Sequence, residues 1–209
     1  MELIKNLRWR YATKKFDPHK KVEQEQLEKI KEAIRLSASS YGLQPYKVLI
    51  VEDHETRKIL KNASWGQAQV TDASHLIVFC GYSDITNEII EDFIRITAQV
   101  RGQSPDNIRR YGDFIKGKLA EKTDEERQEW AAKQTYLALG NLLAICAELK
   151  IDACPMEGFD ANEYNKILQL SERNLNAVVA AAIGYRSEDD HAQRERKVRK
   201  PSELLFEVK

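Results

Sequence analysis

The stretch TDEERQEWAAKQTYLALGNLLAICAELK, residues 123–150, decides the fold. It opens on a capping box, Thr123 with Glu126, in which the threonine oxygen and the glutamate carboxylate each take one backbone N–H that a helix start leaves unpaired. Beyond the cap, Trp130, Tyr136, Leu137, Leu139, Leu142, Leu143, Ile145 and Ala147 cover more than one stripe of the helix surface. A surface helix shows a single apolar stripe, so this width predicts a largely buried helix at the centre of the core.

Around that helix the chain alternates. HLIVFCGY (75–82) and AVVAAAIG (177–184) are short apolar runs that read as buried strands, and YKVLIV (46–51) reads the same way. Asp53 is placed to cap a helix between 46–51 and 75–82. Leu3, Ile4, Leu7 and Tyr11 fall at helical spacing, as do Leu27, Ile30, Ala33, Ile34 and Ser37 after Pro18. Residues 84–120 have helical composition broken at Gly102, Ser104 and Pro105, which predicts two helices. Asp160 with Glu163 repeats the capping signal before a helix around Ile167. This order predicts an α+β (α/β layered) architecture, and 209 residues against about 150 per domain favour one domain, 1–209.

Composition narrows the function. Lys plus Arg and Asp plus Glu are both 33, so the chain is neutral and lacks the bulk positive charge of a nucleic-acid clamp. The longest run without a charge, Gln134 to Ala147, has 14 residues, short of the ~18 of a membrane span, and MELIKNLRWR holds no apolar secretion signal. A soluble, cytoplasmic protein without membrane or nucleic-acid partners is expected. Cys80, Cys146 and Cys154 are odd in number and far apart, which predicts reduced thiols and neither a disulfide framework nor a zinc site.

The charge is unevenly spread. Seven basic residues lie between Lys5 and Lys21 against one acid, Asp17, and RERKVRK (194–200) holds five against Glu195. Chain ends of compact domains often lie together, so the two clusters can converge on one anion, with a phosphate the natural partner of clustered arginines and lysines; solvated surface is the other reading. Catalytic motifs are absent: His19, His54, His75 and His191 are scattered, with no H-E-x-x-H, G-x-S-x-G, P-loop or G-x-G-x-x-G. His75 reads as structural. In CPMEGF (154–159), Gly158 permits close backbone approach to a ligand or a plain turn. The residues alone leave a phosphate-ligand enzyme and a small-molecule binding module as candidates.

RWRYATKKFDP (8–18), SASSYGLQPYKVLIVED (37–53), TDASHLIVFC (71–80), KQTYLALGN (133–141), CPMEGFD (154–160) and KVRKP (197–201) resemble, in this order, the flavin-dependent nitroreductase family. The resemblance spans nearly the whole chain. It implies an intertwined homodimer with a central mixed, largely antiparallel sheet, FMN at the subunit interface and NADH or NADPH as reductant. Carried over by position, Arg10, Tyr11, Ala12 and Lys14 resemble the first flavin contacts. Lys197 and Arg199 match the C-terminal basic pair, which identifies the shared anion as the FMN phosphate. Arginine suits phosphate because its planar fork offers two donors at once. Lys14 would face the pyrimidine. Ser39, Ser40 and Gln44 resemble the loop lent by the second subunit, and Gln134 a residue of the central helix that reaches the cofactor. Pro155, Met156, Glu157 and Gly158 resemble the segment along the flavin, with the Glu157 and Gly158 N–H groups near N5. No catalytic side chain is implied, because the cofactor carries the chemistry.

Two positions depart from the family pattern. Gly66 stands where asparagine is common, and Gln69 where some relatives carry lysine. Gln69, ahead of Gln67, is then the residue expected to hydrogen-bond the ring, and the lost cation implies a lower redox potential. Tyr41 and Phe114 are candidates for lining a broad acceptor cleft. The implied activity is ping-pong hydride transfer from NAD(P)H to electron-poor acceptors such as nitroaromatics or quinones. The alternatives are a flavin-linked pteridine or enone reductase and a flavin-binding protein without turnover.

Overall fold

A computed structural model describes residues 1–209. In chain order the helices and strands are α1 (Glu2–Trp9), α2 (Gln24–Arg35), β1 (Tyr46–Val51), α3 (His54–Asn62), α4 (Gln69–Asp72), β2 (His75–Tyr82), α5 (Asn87–Arg101), α6 (Arg109–Ala120), α7 (Asp124–Glu148), β3 (Asp152–Met156), α8 (Ala161–Ile167), β4 (Leu175–Gly184) and α9 (Ser202–Leu205). The four strands form one sheet in the order β1-β2-β4-β3, antiparallel throughout. The parallel component of the expected mixed sheet is a single bridge, Ala12 to Ala153, that lays the N-terminal segment beside β3.

Strand alternation sends successive residues to opposite faces. From β2, Leu76, Val78 and Cys80 join Leu60, Val70, Phe159 and Tyr164 under α3, α4 and α8. Ile77 and Phe79 face the other way, against Leu27, Ile30 and Ile34 of α2 and Ala138, Leu139, Leu142 and Cys146 of α7. Both faces are covered, which is why β2 and β4 read as unbroken apolar runs although they are antiparallel. A smaller cluster of Leu43, Ile85, Ile90, Ile115, Leu119 and Ala131 seats α5 and α6 on the first half of α7.

The local signals act as read. The Thr123 capping box is complete on both sides, Asp53 accepts from Thr56 N–H, and Asp160 accepts from Asn162 and Glu163 N–H. Gly102, in the left-handed region at φ 62°, ends α5. Three expectations change. β1 is an edge strand and half-buried, because nothing pairs its outer side. Tyr11 lies past the end of α1, whose Leu3, Ile4 and Leu7 form an open apolar face. The central helix keeps an exposed stripe, with Tyr136 42% and Leu137 50% exposed. All three cysteines are buried free thiols, and no helix is long and apolar enough to cross a membrane.

Candidate active site

The two basic chain ends meet at the β3 edge of the sheet. Residues 10–17 run beside β3 through the Ala12–Ala153 bridge and then pair with the segment after β4, where Asp17 N–H donates to Tyr185 C=O and Ser187 N–H to Lys15 C=O. The C-terminal segment returns to the same place because Lys197 Nζ donates to the carbonyls of Leu7 and Arg10, at the end of α1. Those carbonyls lack helical partners, and a cation there also complements the helix dipole. Between the two segments lies a cleft of about 320 Å³ whose walls carry Arg8, Arg10, Arg196, Lys197 and Arg199 against a single acid, Glu195.

Arg10 is the informative side chain. Its Nε is buried without a hydrogen-bond partner, and burial followed by the adjacent Arg199 lowers its pKa. Burial, then Arg10 and Arg199, lowers that of Lys197 as well. Cations elsewhere pair with acids, as in Lys29–Glu25, Arg35–Glu32 and Arg95–Asp92. A half-buried guanidinium left with an orphan donor and a cationic neighbour is unfavourable until an anion arrives. Arg186, close by, is already committed: its guanidinium binds Asp152 and lies between the Trp9 and Tyr11 rings at 4.5 and 4.6 Å.

Asp190 organises the junction, and nothing in the sequence marks it. Its carboxylate, 2% exposed, accepts from the Tyr11 hydroxyl at 2.9 Å, Lys14 N–H at 2.8 Å, Lys15 N–H at 3.2 Å and Ala192 N–H at 3.2 Å. Burial alone would raise its pKa; the Lys14 and Lys15 N–H groups, the Tyr11 hydroxyl and the Ala192 N–H hold it below the ordinary carboxylate value. Asp190 thus ties the strand bearing Arg10 and Lys14 to the start of the segment bearing Lys197 and Arg199.

The floor of the site continues along β3. Burial pushes the Cys154 thiol up, with Lys14, Gln69 and Arg10 acting in the opposite sense. At the end of β3, Gly158 meets the loop before α4: a Cβ there would sit 3.0 Å from the Trp65 ring and 3.1 Å from Gln67 Nε2. Gln67 is occupied, donating to Gly158 C=O at 2.6 Å, while the Tyr136 hydroxyl donates to Glu157 at 2.8 Å. Trp65, 73% exposed beside Gly158, is a second residue the sequence did not flag. Trp65 and Gly66 both adopt positive φ, 52° and 75°, so Gly66 answers a backbone requirement that asparagine also tolerates.

The remaining candidates form a second group. Gln134 Oε1 accepts from Ser40 N–H at 2.8 Å, its Nε2 donates to Trp130 C=O, and Ser39 Oγ accepts from Gln44 N–H. Gln134 therefore sits with Ser39, Ser40 and Gln44, not with Arg10. Tyr41 packs edge-on against Phe114 at 6.2 Å and near Trp130 at 5.9 Å, in the same group. This group precedes β1, and Ala12 lies four strand spacings away, roughly 19 Å at the usual inter-strand distance. One chain does not bring the two groups together.

The fold is a layered α+β sheet with a cleft rich in cations at one edge. The nitroreductase family model matches residues 7–185, and the chain belongs to the nitroreductase family. It is 36% identical over 189 residues to the "Putative NAD(P)H nitroreductase SA2311" of Staphylococcus aureus (strain N315), covering 87% of this chain and 85% of that one. The same fold occurs in the "putative nitroreductase ydfN" of Bacillus subtilis, with TM-score 0.88, 21% identity, and 100% and 99% of the two chains covered. It recurs in a "putative nitroreductase in complex with FMN" of Exiguobacterium sibiricum 255-15, with TM-score 0.85, 20% identity, and 100% and 98% covered. The family match ends before Lys197 and Arg199, so their assignment to the cleft rests on the geometry above.

Proposed function

We propose that the chain, as one catalytic domain over 1–209, is an FMN-dependent NAD(P)H oxidoreductase that works by a ping-pong cycle. The observation that carries this reading is Arg10, half-buried with an orphan Nε beside Arg199 in a cleft of cations. A phosphate monoester supplies the missing acceptors and charge, and FMN presents one. When bound, FMN supplies the chemistry, accepting hydride from NAD(P)H and passing it to an electron-poor acceptor such as a nitroaromatic or quinone. Arg10 and Arg199 would hold the phosphate. Lys197 anchors the tail that carries Arg199, and Asp190 sets the two segments in register. Lys14 and Gln69 would face the ring's polar edge, with the Glu157 and Gly158 N–H groups at its reactive side.

Two copies complete the site in this reading. Ser39, Ser40, Gln44 and Gln134 would enter from the partner, with Tyr41 and Phe114 near the acceptor. The open apolar faces of α1 and α7, and the exposed Leu204, Leu205 and Phe206, supply surface for self-association. The test is the absorption spectrum and released cofactor of the purified protein, followed by NADH and NADPH oxidation with a nitroaromatic, a quinone and an enone. Yellow protein releasing FMN, with turnover on the first two acceptors, is expected. Colourless protein that takes up no added FMN refutes the reading, and flavin without turnover reduces it to a binding protein.

A further inference from the structure

Two residues outside the cationic cleft act on one short piece of backbone. The Glu157–Gly158 turn closes β3, and both of its carbonyls are committed. Glu157 C=O accepts from Phe159 N–H at 3.0 Å, and Gly158 C=O accepts from Gln67 Nε2 at 2.6 Å. The Glu157 side chain is held as well, by the Tyr136 hydroxyl from α7 at 2.8 Å. The Glu157 and Gly158 N–H groups, by contrast, donate to no loop carbonyl and no side chain. Each carbonyl shares a planar peptide unit with the next residue's N–H: Gly158 C=O, held by Gln67, orients Phe159 N–H, which holds Glu157 C=O, and that carbonyl shares its unit with the free Gly158 N–H, so Gln67 fixes this donor through two peptide units.

The anchors are themselves firm. Gln67 Nε2 also donates to Ser64 C=O, and Gly66 N–H to Lys61 C=O, which pins the left-handed Trp65–Gly66 turn that carries Gln67 against Gly158. Any side chain at 158 would enter the space of Trp65 and Gln67. Burial, then the bond to Glu157, raises the Tyr136 pKa to about 12, so its hydroxyl remains a donor throughout the neutral range.

We propose that Gln67 and Tyr136 are positioning residues that clamp the Glu157–Gly158 turn from two sides and aim its free N–H groups at a ring nitrogen of the bound cofactor. The proposal rests on the FMN reading and deepens it. Gln67 then serves the cofactor through Gly158 and does not contact the ring.

The test uses a pair of flavins that differ at one atom. 5-Deaza-FMN carries C–H where FMN has the acceptor N5, with the phosphate and the rest of the ring retained. Dissociation constants for both are measured by fluorescence titration on the full-length chain and on Tyr136→Phe, Gln67→Ala and Glu157→Gln. Tyr136→Phe and Gln67→Ala are expected to weaken FMN about tenfold, the effect of one well-aimed hydrogen bond, and to leave 5-deaza-FMN unchanged. Glu157→Gln keeps an acceptor for the Tyr136 hydroxyl and should therefore lose less FMN affinity than Tyr136→Phe does. Equal weakening of both flavins, as from a loosened fold, or weakening of neither, overturns the clamp. An unaltered chain that binds neither flavin refutes the FMN reading itself, a result distinct from both.

Discussion

Arg199 and Lys200 are adjacent cations of one charge run, yet only Arg199 lines the cleft and influences Arg10. Arg199→Ala should therefore weaken FMN by roughly 1.5 to 3 kcal/mol, about ten- to a hundredfold, while Lys200→Ala leaves it nearly unchanged in the same flavin titration. Equal losses would assign the effect to bulk charge. Asp190 makes a prediction in pH. Its folded pKa lies below the ordinary 3.8, so the stability it confers is complete above pH 3.8 and is lost as pH falls through the lower folded value. Asp190→Asn should lower the urea midpoint at pH 7, and the gap to the unaltered chain should close only in acid below pH 3.8. A gap that closes near neutrality would show that another group supplies the effect.

Among the elements, α7 joins the layers: its cap is local, its packing is not. Thr123→Ala removes one half of the capping box and should cost about 1 kcal/mol in urea unfolding, with little effect on flavin binding. Leu142, fully buried against the sheet, should cost about 2 to 5 kcal/mol on truncation to Ala, because the transfer loss adds to an unfilled cavity. If the two substitutions cost the same, α7 is held by its end and not by its face. The same helix carries two jobs along its length. Its inner face packs on β2 and β4, while Gln134 holds the Ser40 loop and Tyr136 holds Glu157. Tyr136 lies on the exposed stripe that the apolar pattern predicted to be buried, whereas Gln134 is buried.

At the scale of the molecule, the strand order keeps Arg10 and Ser40 on opposite sides of one chain. Mixed dimers test whether a partner closes the gap. Arg199→Ala chains combined with chains altered at Ser39 and Ser40 should regain NAD(P)H turnover, since one site of each mixed dimer receives two intact walls. Gln134→Ala should behave as a Ser40-side variant and complement Arg199→Ala. Confirmed mixed dimers without activity, or a fully active monomer by light scattering, would remove the shared site.

Periodicity and capping chemistry act over a few residues, and these were legible in the linear sequence: the α7 box, the buried β2 and β4 runs and the Gly102 break. Burial of an edge is a property of neighbours, so the half-exposed state of β1 and the open face of α1 became visible only in three dimensions. The site divides in the same way. The family resemblance put forward Arg10, Lys14, Gly158, Lys197 and Arg199 as candidates. Only the tertiary structure decided that Gln134 belongs with Ser40, that Gln67 is spent on Gly158, and that Asp190 joins the chain ends. A side chain's role in those cases is set by which backbone groups, 94, 91 or 176 residues away in sequence, lie within reach of its polar atoms.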